Sequence, residues 1–171
     1  MSSRLPVQPG EVIDRSKSMG GQGLNALSAA GKQLDMAISR LLENHRFQVI
    51  AYHDKPVFFP DRTMARAIPE NRQRLKTFFS GLVAFGATDH ELAVLAGLRV
   101  KPDVLFLLTD GGSPDLTRVQ LDRIRQRTGG LTAIHCIQFG FGPLQDLLRA
   151  PTITEIMVVK SDQIFVERDG I

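Results

Sequence analysis

The sequence predicts an α/β fold: a doubly wound, mostly parallel sheet with helices on both faces and one antiparallel edge strand. Short apolar runs alternate along the chain with segments whose apolar residues recur every three or four positions, as strands alternate with amphipathic helices. The unbroken apolar run at residues 104–108 is typical of a central parallel strand covered on both faces. With 171 residues, 43% hydrophobic and 23% charged, the chain suits one globular domain.

The elements of the first half follow from the spacing of apolar residues. Residues 11–14 form a short predicted strand that leads into a polar loop. The helical repeat after this loop predicts an amphipathic helix and consists of Leu24, Leu27, Gly31, Leu34, Ile38 and Leu41. Strands at 46–54 and 56–59, separated by a tight turn, predict a hairpin that gives the sheet its antiparallel edge. A helix is predicted at 71–83, with Leu75, Phe78, Phe79 and Leu82 facing inward.

Helices and strands alternate in the second half. A helix at residues 89–98 precedes the apolar strand, and a second helix at 117–128 follows it. Gly129 and Gly130 end this second helix. Residues 131–139 are predicted to form another central strand.

Polar residues lie where the predicted strands end. Asp14, Ser16 and Ser18 form an Asp-x-Ser-x-Ser loop, in which alternate side chains of an extended segment point the same way. Thr88 and Asp110 follow at the ends of later elements, and carboxyl ends of parallel strands meet at one edge of the sheet. Singly, the serines could cap a helix and Asp110 could belong to a turn. Together these oxygen ligands predict a site for Mg²⁺, or for Mn²⁺ or Ca²⁺, rather than for zinc or copper.

The same segments resemble the metal-ion-dependent adhesion site of von Willebrand factor type A domains, in which Asp-x-Ser-x-Ser, a distant Thr and a distant Asp occur in this order. The resemblance covers roughly residues 10–142. Residues 46–52 and 109–111 look like the second and fourth strands of that family. Residues 1–9 are then an extended or disordered N-terminus.

The resemblance implies roles for the five polar residues. Ser16, Ser18 and Thr88 would touch the ion directly, whereas Asp14 and Asp110 would help directly or through water. Both aspartates are expected on solvent-facing loops. Two carboxylates balance a divalent charge, and the neutral hydroxyls leave the ion electrophilic, so an acidic residue of a protein partner is the expected final ligand. The predicted function is a metal-dependent protein-binding module of the adhesion type.

A magnesium-dependent phosphoryl-transfer enzyme is the main rival from another class. Such enzymes also place an aspartate at the end of an α/β strand, and Asp14 could serve as a nucleophile. Their chemistry needs a second acid or base and a lysine for the phosphoryl group. Position 16 is Ser rather than a second Asp, the strand at 131–139 ends in Gln138-Phe139-Gly140 with no lysine, and no phosphate-binding Gly-x-x-x-x-Gly-Lys-Ser/Thr motif occurs. We therefore expect no enzymatic activity.

The C-terminal region carries a second resemblance. The stretches 142–148, 151–159 and 163–168 (GPLQDLL, PTITEIMVV and QIFVER) look like the N-terminal region of type II/IV secretion and pilus-assembly ATPases. They contain no nucleotide-binding motif, so no ATPase activity is assigned. Residues 143–171 are predicted to form a helix at 143–149 and two strands, at 153–159 and 164–168. These elements either complete the sheet, with the first strand extending it, or remain as an ATPase-like segment. The second reading makes the chain an interaction or regulatory domain of a pilus or secretion machine that operates without metal.

Composition and residue spacing argue against nucleic acid and a membrane as partners. The arginines of residues 118–127 have helical spacing without interleaved aromatic residues, which predicts a solvated helix face rather than nucleic-acid binding.

Cys136 is the only cysteine and lies in an apolar run, so a buried structural thiol is expected. His135 is expected to be packed or hydrogen-bonded, and His53 and His90 to lie in loops near the site. Neither a signal peptide nor an apolar run of about 18 residues is present, which predicts a cytoplasmic protein without a membrane span.

Overall fold

The computed structural model describes residues 8–20, 26–111 and 114–139 in full, and residues 153–160 and 163–168 as backbone. In chain order the elements are β1 (Pro9–Asp14), a 3-10 turn (Lys17–Met19), α1 (Ala26–Ser39), β2 (Arg46–Tyr52), β3 (Pro56–Phe59), β4 (Ala65–Arg66), α2 (Pro69–Ser80), α3 (His90–Leu98), β5 (Val104–Thr109), α4 (Arg118–Thr128), β6 (Ala133–Gln138), β7 (Ile153–Lys160) and β8 (Gln163–Arg168). No helix among these residues is long and apolar enough to cross a membrane.

The large sheet has the strand order β3-β2-β1-β5-β6, and the two-residue β4 pairs with β2 beside this path. β1 runs parallel to β2 on one side and to β5 on the other, and β6 is parallel to β5. β3 is antiparallel to β2 at the sheet edge. The predicted α/β fold is therefore confirmed. Strand order reverses at β1, and in such sheets this switch point opens a crevice at the carboxyl edge.

Helices cover both faces of the sheet. One buried cluster joins α1 and α2 to side chains such as Ile13, Val49 and Leu108, and the other joins α3 and α4 to neighbouring side chains such as Val12 and Leu107. Adjacent residues along each strand thus enter opposite clusters, as the alternation of side chains on a strand requires. All six residues of β1 are buried. β1 is the centre of the fold, and it begins with Pro9, where a missing N–H disturbs the ladder least.

β6 differs from its prediction. It lies at the edge of the described sheet rather than in the centre, and all six of its residues are exposed. Cys136 is accordingly exposed, which corrects the expectation of a buried structural thiol. An apolar run indicates a strand but does not specify its neighbours. His135 lies against the ring of Phe106, with ring centroids 5.4 Å apart, as its expected packing role requires.

β7 and β8 also correct an expectation. Both predicted strands are present, but they pair antiparallel with each other in a two-stranded sheet, and β7 does not extend the large sheet. β7 is thus hydrogen-bonded to the strand that follows it closely in sequence. The predicted helix at 143–149 lies outside the described residues, as do residues 21–25 at the predicted start of α1.

Candidate functional site

Asp14 is the last residue of β1, and its side chain is completely buried. This corrects the expectation of a solvent-facing loop, because Asp14 ends the central strand. Its Oδ1 accepts a hydrogen bond from the backbone N–H of Ser16 at 2.8 Å, and its Oδ2 accepts one from Oγ1 of Thr109 at 2.7 Å. No Lys or Arg of the described residues forms an ion pair with it. Because buried charges are normally paired or bound to metal, an ionised Asp14 would favour a cation at this point.

The two serines of the Asp-x-Ser-x-Ser loop face each other. Their hydroxyl oxygens lie 3.1 Å apart, within hydrogen-bonding distance. Ser16 is buried and Ser18 is exposed, so the pair reaches from the end of β1 to the surface. Ser16 occupies the N-cap position of the 3-10 turn but makes no side-chain cap hydrogen bond there. The Ser16 hydroxyl therefore does not cap the turn that follows it, which was one role that the sequence left open.

The loop that carries Thr88 is attached at both ends. The backbone N–H of Lys17 donates to the carbonyl of Gly86 at 3.2 Å, and the N–H of Asp89 donates to the carbonyl of His53 at 3.0 Å. Thr88 lies between these attachments and is partly exposed. Gly86 has a φ of +81°, a conformation in which L side chains are strained. The loop that includes Thr88 is thereby held beside the Asp-x-Ser-x-Ser loop.

Asp110 follows directly after β5 and is partly exposed. The Nε2 of Gln138, at the end of β6, donates to the Asp110 carbonyl at 3.3 Å. Thr109 organises the same turn, because its Oγ1 accepts a hydrogen bond from the N–H of Gly111 at 3.1 Å while donating to Asp14. One hydroxyl therefore ties the ends of β1 and β5 together.

The phenol of Tyr52 interacts electrostatically with the carboxylates of both Asp14 and Asp110. Tyr52 is the last residue of β2, is 1% exposed, and its hydroxyl lies 2.7 Å from Nδ1 of His90. Burial raises the pKa of Tyr52 far above its ordinary value, and the nearby carboxylates of Asp14 and Asp110 raise this pKa further, while a hydrogen bond with Thr109 opposes them. Both carboxylates act on the same phenol, so they share one edge of the sheet. His90, expected in a loop, is instead the buried first residue of α3.

Sequence reasoning missed three residues of this arrangement. Thr109 and Tyr52 link the strand ends beneath the edge, and Arg15 lies between Asp14 and Ser16 with a side chain that is 7% exposed. Thr109 had a signal in the sequence, because it is a hydroxyl residue at the end of an apolar run, directly before Asp110. At that position its hydroxyl has few hydrogen-bond partners other than groups at the strand ends. Tyr52 and Arg15 had none, since their contacts depend on strand order.

The donor set fits a hard divalent cation. No group of three or more His, Cys, Asp and Glu that could hold a metal occurs in the part of the chain that the structure describes. The predicted ligand set is not a group of that kind, because only two of its members are carboxylates and its other oxygens come from hydroxyl groups. The buried carboxylate of Asp14 and the adjacent hydroxyls of Ser16 and Ser18 match the oxygen ligands of Mg²⁺, which keeps waters and tolerates an incomplete protein shell.

Known structures share this architecture. A von Willebrand factor type A protein from Catenulispora acidiphila is 24% identical, with a TM-score of 0.66 over 77% of this chain and 32% of that one. An aerotolerance-related membrane protein from Bacteroides fragilis is 15% identical, with a TM-score of 0.61 over 95% and 81% of the two chains. The pilus adhesin SpaC from Lactobacillus rhamnosus GG is 18% identical, with a TM-score of 0.53 over 64% and 15%.

Sequence comparison adds no assignment: no protein-family model matches the chain, and no curated protein does. The chain spans about a third of the length of the Catenulispora protein. Identities below 25% carry the fold and not the activity. The strand order, the helices on both faces and these structural neighbours together give the chain a von Willebrand factor type A fold.

Proposed function

We propose that this protein is a protein-interaction module that binds a carboxylate of a partner through a divalent cation. The ligands are Asp14, Ser16, Ser18, Thr88 and Asp110, and the cation is Mg²⁺, Mn²⁺ or Ca²⁺. The observation that carries the proposal is the buried carboxylate of Asp14, which has hydrogen-bonded neighbours but no Lys or Arg ion-pair partner among the described residues.

The chain's own residues position the ligands. Thr109 and the Ser16 N–H orient the two oxygens of Asp14, and the Lys17 to Gly86 hydrogen bond brings the Thr88 loop alongside. A bound cation supplies an electrophile at the carboxyl edge of the sheet, where an acidic side chain completes its coordination. In this proposal the module acts by binding and not by catalysis, which is supported by Ser rather than a second Asp at position 16 and by a sequence without a phosphate-binding Gly-x-x-x-x-Gly-Lys-Ser/Thr motif.

Calorimetric titration with Mn²⁺ tests the proposal. Wild type is expected to bind one equivalent, and Asp14→Asn and Asp110→Asn are expected to lose at least tenfold in affinity. Asp61→Asn is the matched control, because this exposed aspartate lies after β3 at the opposite end of the sheet. Equal Mn²⁺ affinity in wild type and both site variants would sink the metal site.

A second candidate function is a metal-independent interaction domain of a pilus or secretion machine. The structural similarity to a pilus adhesin favours it, as does the resemblance of the C-terminal region to secretion ATPases. EDTA separates the two candidates. Partner binding that survives EDTA with undiminished affinity supports the second, and binding that is lost in EDTA and restored by Mn²⁺ supports the first.

A further inference from the structure

The segment that links α2 to the Thr88 loop presents two large apolar side chains to solvent. Leu82 and Ala84 pack against the core beneath α1 and α2. The alternate residues Val83 and Phe85 are 65% and 49% exposed. We call Val83 and Phe85 the apolar ridge. Alternate residues of an extended segment point to the same side, and exposed apolar surface with a polar rim is typical of interaction sites where it forms a contiguous patch.

Arg15 supports the ridge from below. Its Nη1 donates to the carbonyl of Val83 at 3.1 Å, and its backbone carbonyl accepts from the N–H of Phe85 at 2.9 Å. The guanidinium carbon lies 4.6 Å from the centre of the Phe85 ring, and the ring of His53 lies 4.5 Å from that centre. Arg15 is almost completely buried, and its Nε has no hydrogen-bond partner among the residues that the structure describes. The two hydrogen bonds and the cation–π contact fix the ridge on Arg15, although the unsatisfied Nε carries an energetic cost.

The ridge is continuous with the candidate site. Arg15 lies between Asp14 and Ser16, and Phe85 directly precedes Gly86, whose carbonyl accepts from Lys17. Thr88 is three residues beyond Phe85. Lys17 is exposed beside the serines and adds positive charge there. This charge attracts an acidic segment to the edge of the sheet. An extended segment spans about 3.3 Å per residue, so a few of its residues reach from the site to the apolar ridge.

We propose that the partner is an extended acidic segment with a large apolar side chain within a few residues of the carboxylate, and that this side chain packs on Val83 and Phe85. This inference rests on the proposed function, because the carboxylate fixes where the segment lies. The ridge then selects among acidic segments, since the carboxylate contact is common to all of them. Aromatic residues packed at the centre of an interface are frequent sources of affinity.

Synthetic peptides provide the probe. One series has a single Glu in a Gly/Ser chain, and the second adds one Phe at one to four residues from the Glu. In fluorescence anisotropy with Mn²⁺ present, the best peptide with Phe is expected to bind wild type about tenfold to hundredfold more tightly than the Glu-only peptide. Phe85→Ser and Val83→Ser are expected to reduce this preference and to leave Mn²⁺ affinity unchanged, and Phe85→Leu is expected to retain part of the preference.

Leu131→Ser is the matched control, because Leu131 is 86% exposed but precedes β6 at the opposite edge of the sheet. Equal binding of both peptide series to wild type, with Mn²⁺ required for each, overturns the ridge and leaves the proposed function standing. A preference for Phe that persists in Phe85→Ser, or falls equally in Leu131→Ser, also overturns it. Absence of Mn²⁺ binding in wild type overturns the proposed function and, with it, this inference.

Discussion

One hydrogen bond, from Thr109 Oγ1 to Asp14 Oδ2, joins the ends of two strands that are 95 residues apart in sequence. The sequence identified Asp14 as a candidate ligand from its motif, but it placed the residue on a solvent-facing loop. Burial depends on the neighbours of β1, which the local pattern does not contain. Asp14 is therefore both a candidate ligand and a structural residue, whereas Asp110 is partly exposed.

This difference predicts unequal effects on stability. Asp14→Ala removes the acceptor of both the Thr109 hydroxyl and the Ser16 N–H, and is expected to lower the free energy of unfolding by about 2–4 kcal/mol without metal. Asp110→Ala is expected to change it by less than about 1 kcal/mol, as is typical of substitutions near the surface. Urea denaturation in EDTA measures both values. Equal losses would contradict the structural role of Asp14.

Glu11 predicts a pH dependence. It is 6% exposed in β1 between Val49 and Phe106 of the flanking strands, and burial raises the pKa of its carboxyl from 4.5 to about 8. The folded state holds this proton more tightly than the unfolded state, so stability is highest below pH 4.5 and declines until about pH 8. The expected decline is roughly 3–5 kcal/mol.

Glu11→Gln is expected to abolish this dependence, because the amide does not ionise. The free energy of unfolding, measured by urea denaturation between pH 5 and 8, should then be almost constant. Glu70→Gln is the control, since Glu70 is exposed in the first turn of α2. A wild type as stable at pH 8 as at pH 5 would refute the prediction.

Among the elements, periodicity predicted the helices and most strands but not the position of every strand. The apolar run of β5 forms an interior strand of the sheet, as predicted, and its neighbours are β1 and β6. β6 is also rich in apolar residues but lies at the edge of the described sheet. Local sequence specifies that a segment is a strand, and strand order follows from packing of the whole chain. For the same reason the placement of β7 outside the large sheet was not foreseen.

Gly97 tests the packing of α3 on the sheet. A Cβ at this position would lie 2.8 Å from Cδ1 of Leu105 and 2.9 Å from Cγ2 of Val12. Gly97→Ala gains up to about 1 kcal/mol of helix propensity but overpacks the core, which typically costs about 1–3 kcal/mol. We expect a net loss of about 1–2 kcal/mol in thermal or urea denaturation. Ser28→Ala on the exposed face of α1 should change stability little, and a stabilised Gly97→Ala would show that the helix stands clear of the sheet.

At the scale of the whole molecule, the fold assembles the site. β1 and β5 are neighbouring parallel strands, and the next strands after them, β2 and β6, lie on opposite sides of this pair. The ends of β1 and β5 carry Asp14 and Thr109, with Asp110 directly beyond. The Thr88 loop reaches the same edge because α3 begins there, next to Tyr52 through His90. No single segment contains the five predicted ligands, which lie on three loops. A cation that needs all five therefore binds the folded protein and finds no such site in the unfolded chain.

This coupling predicts stabilisation by the metal. Free Mn²⁺ at one hundred times its dissociation constant is expected to stabilise the folded protein by about 2.7 kcal/mol. For a chain of this length that corresponds to an increase of roughly 5–10 °C in Tm. Scanning calorimetry against Mn²⁺ concentration measures the shift, and EDTA should reverse it. Asp14→Asn should show almost none, while Asp61→Asn should match wild type. An equal shift in Asp14→Asn would mean that Mn²⁺ stabilises the protein at another place, and the five oxygen residues would then not be its ligands.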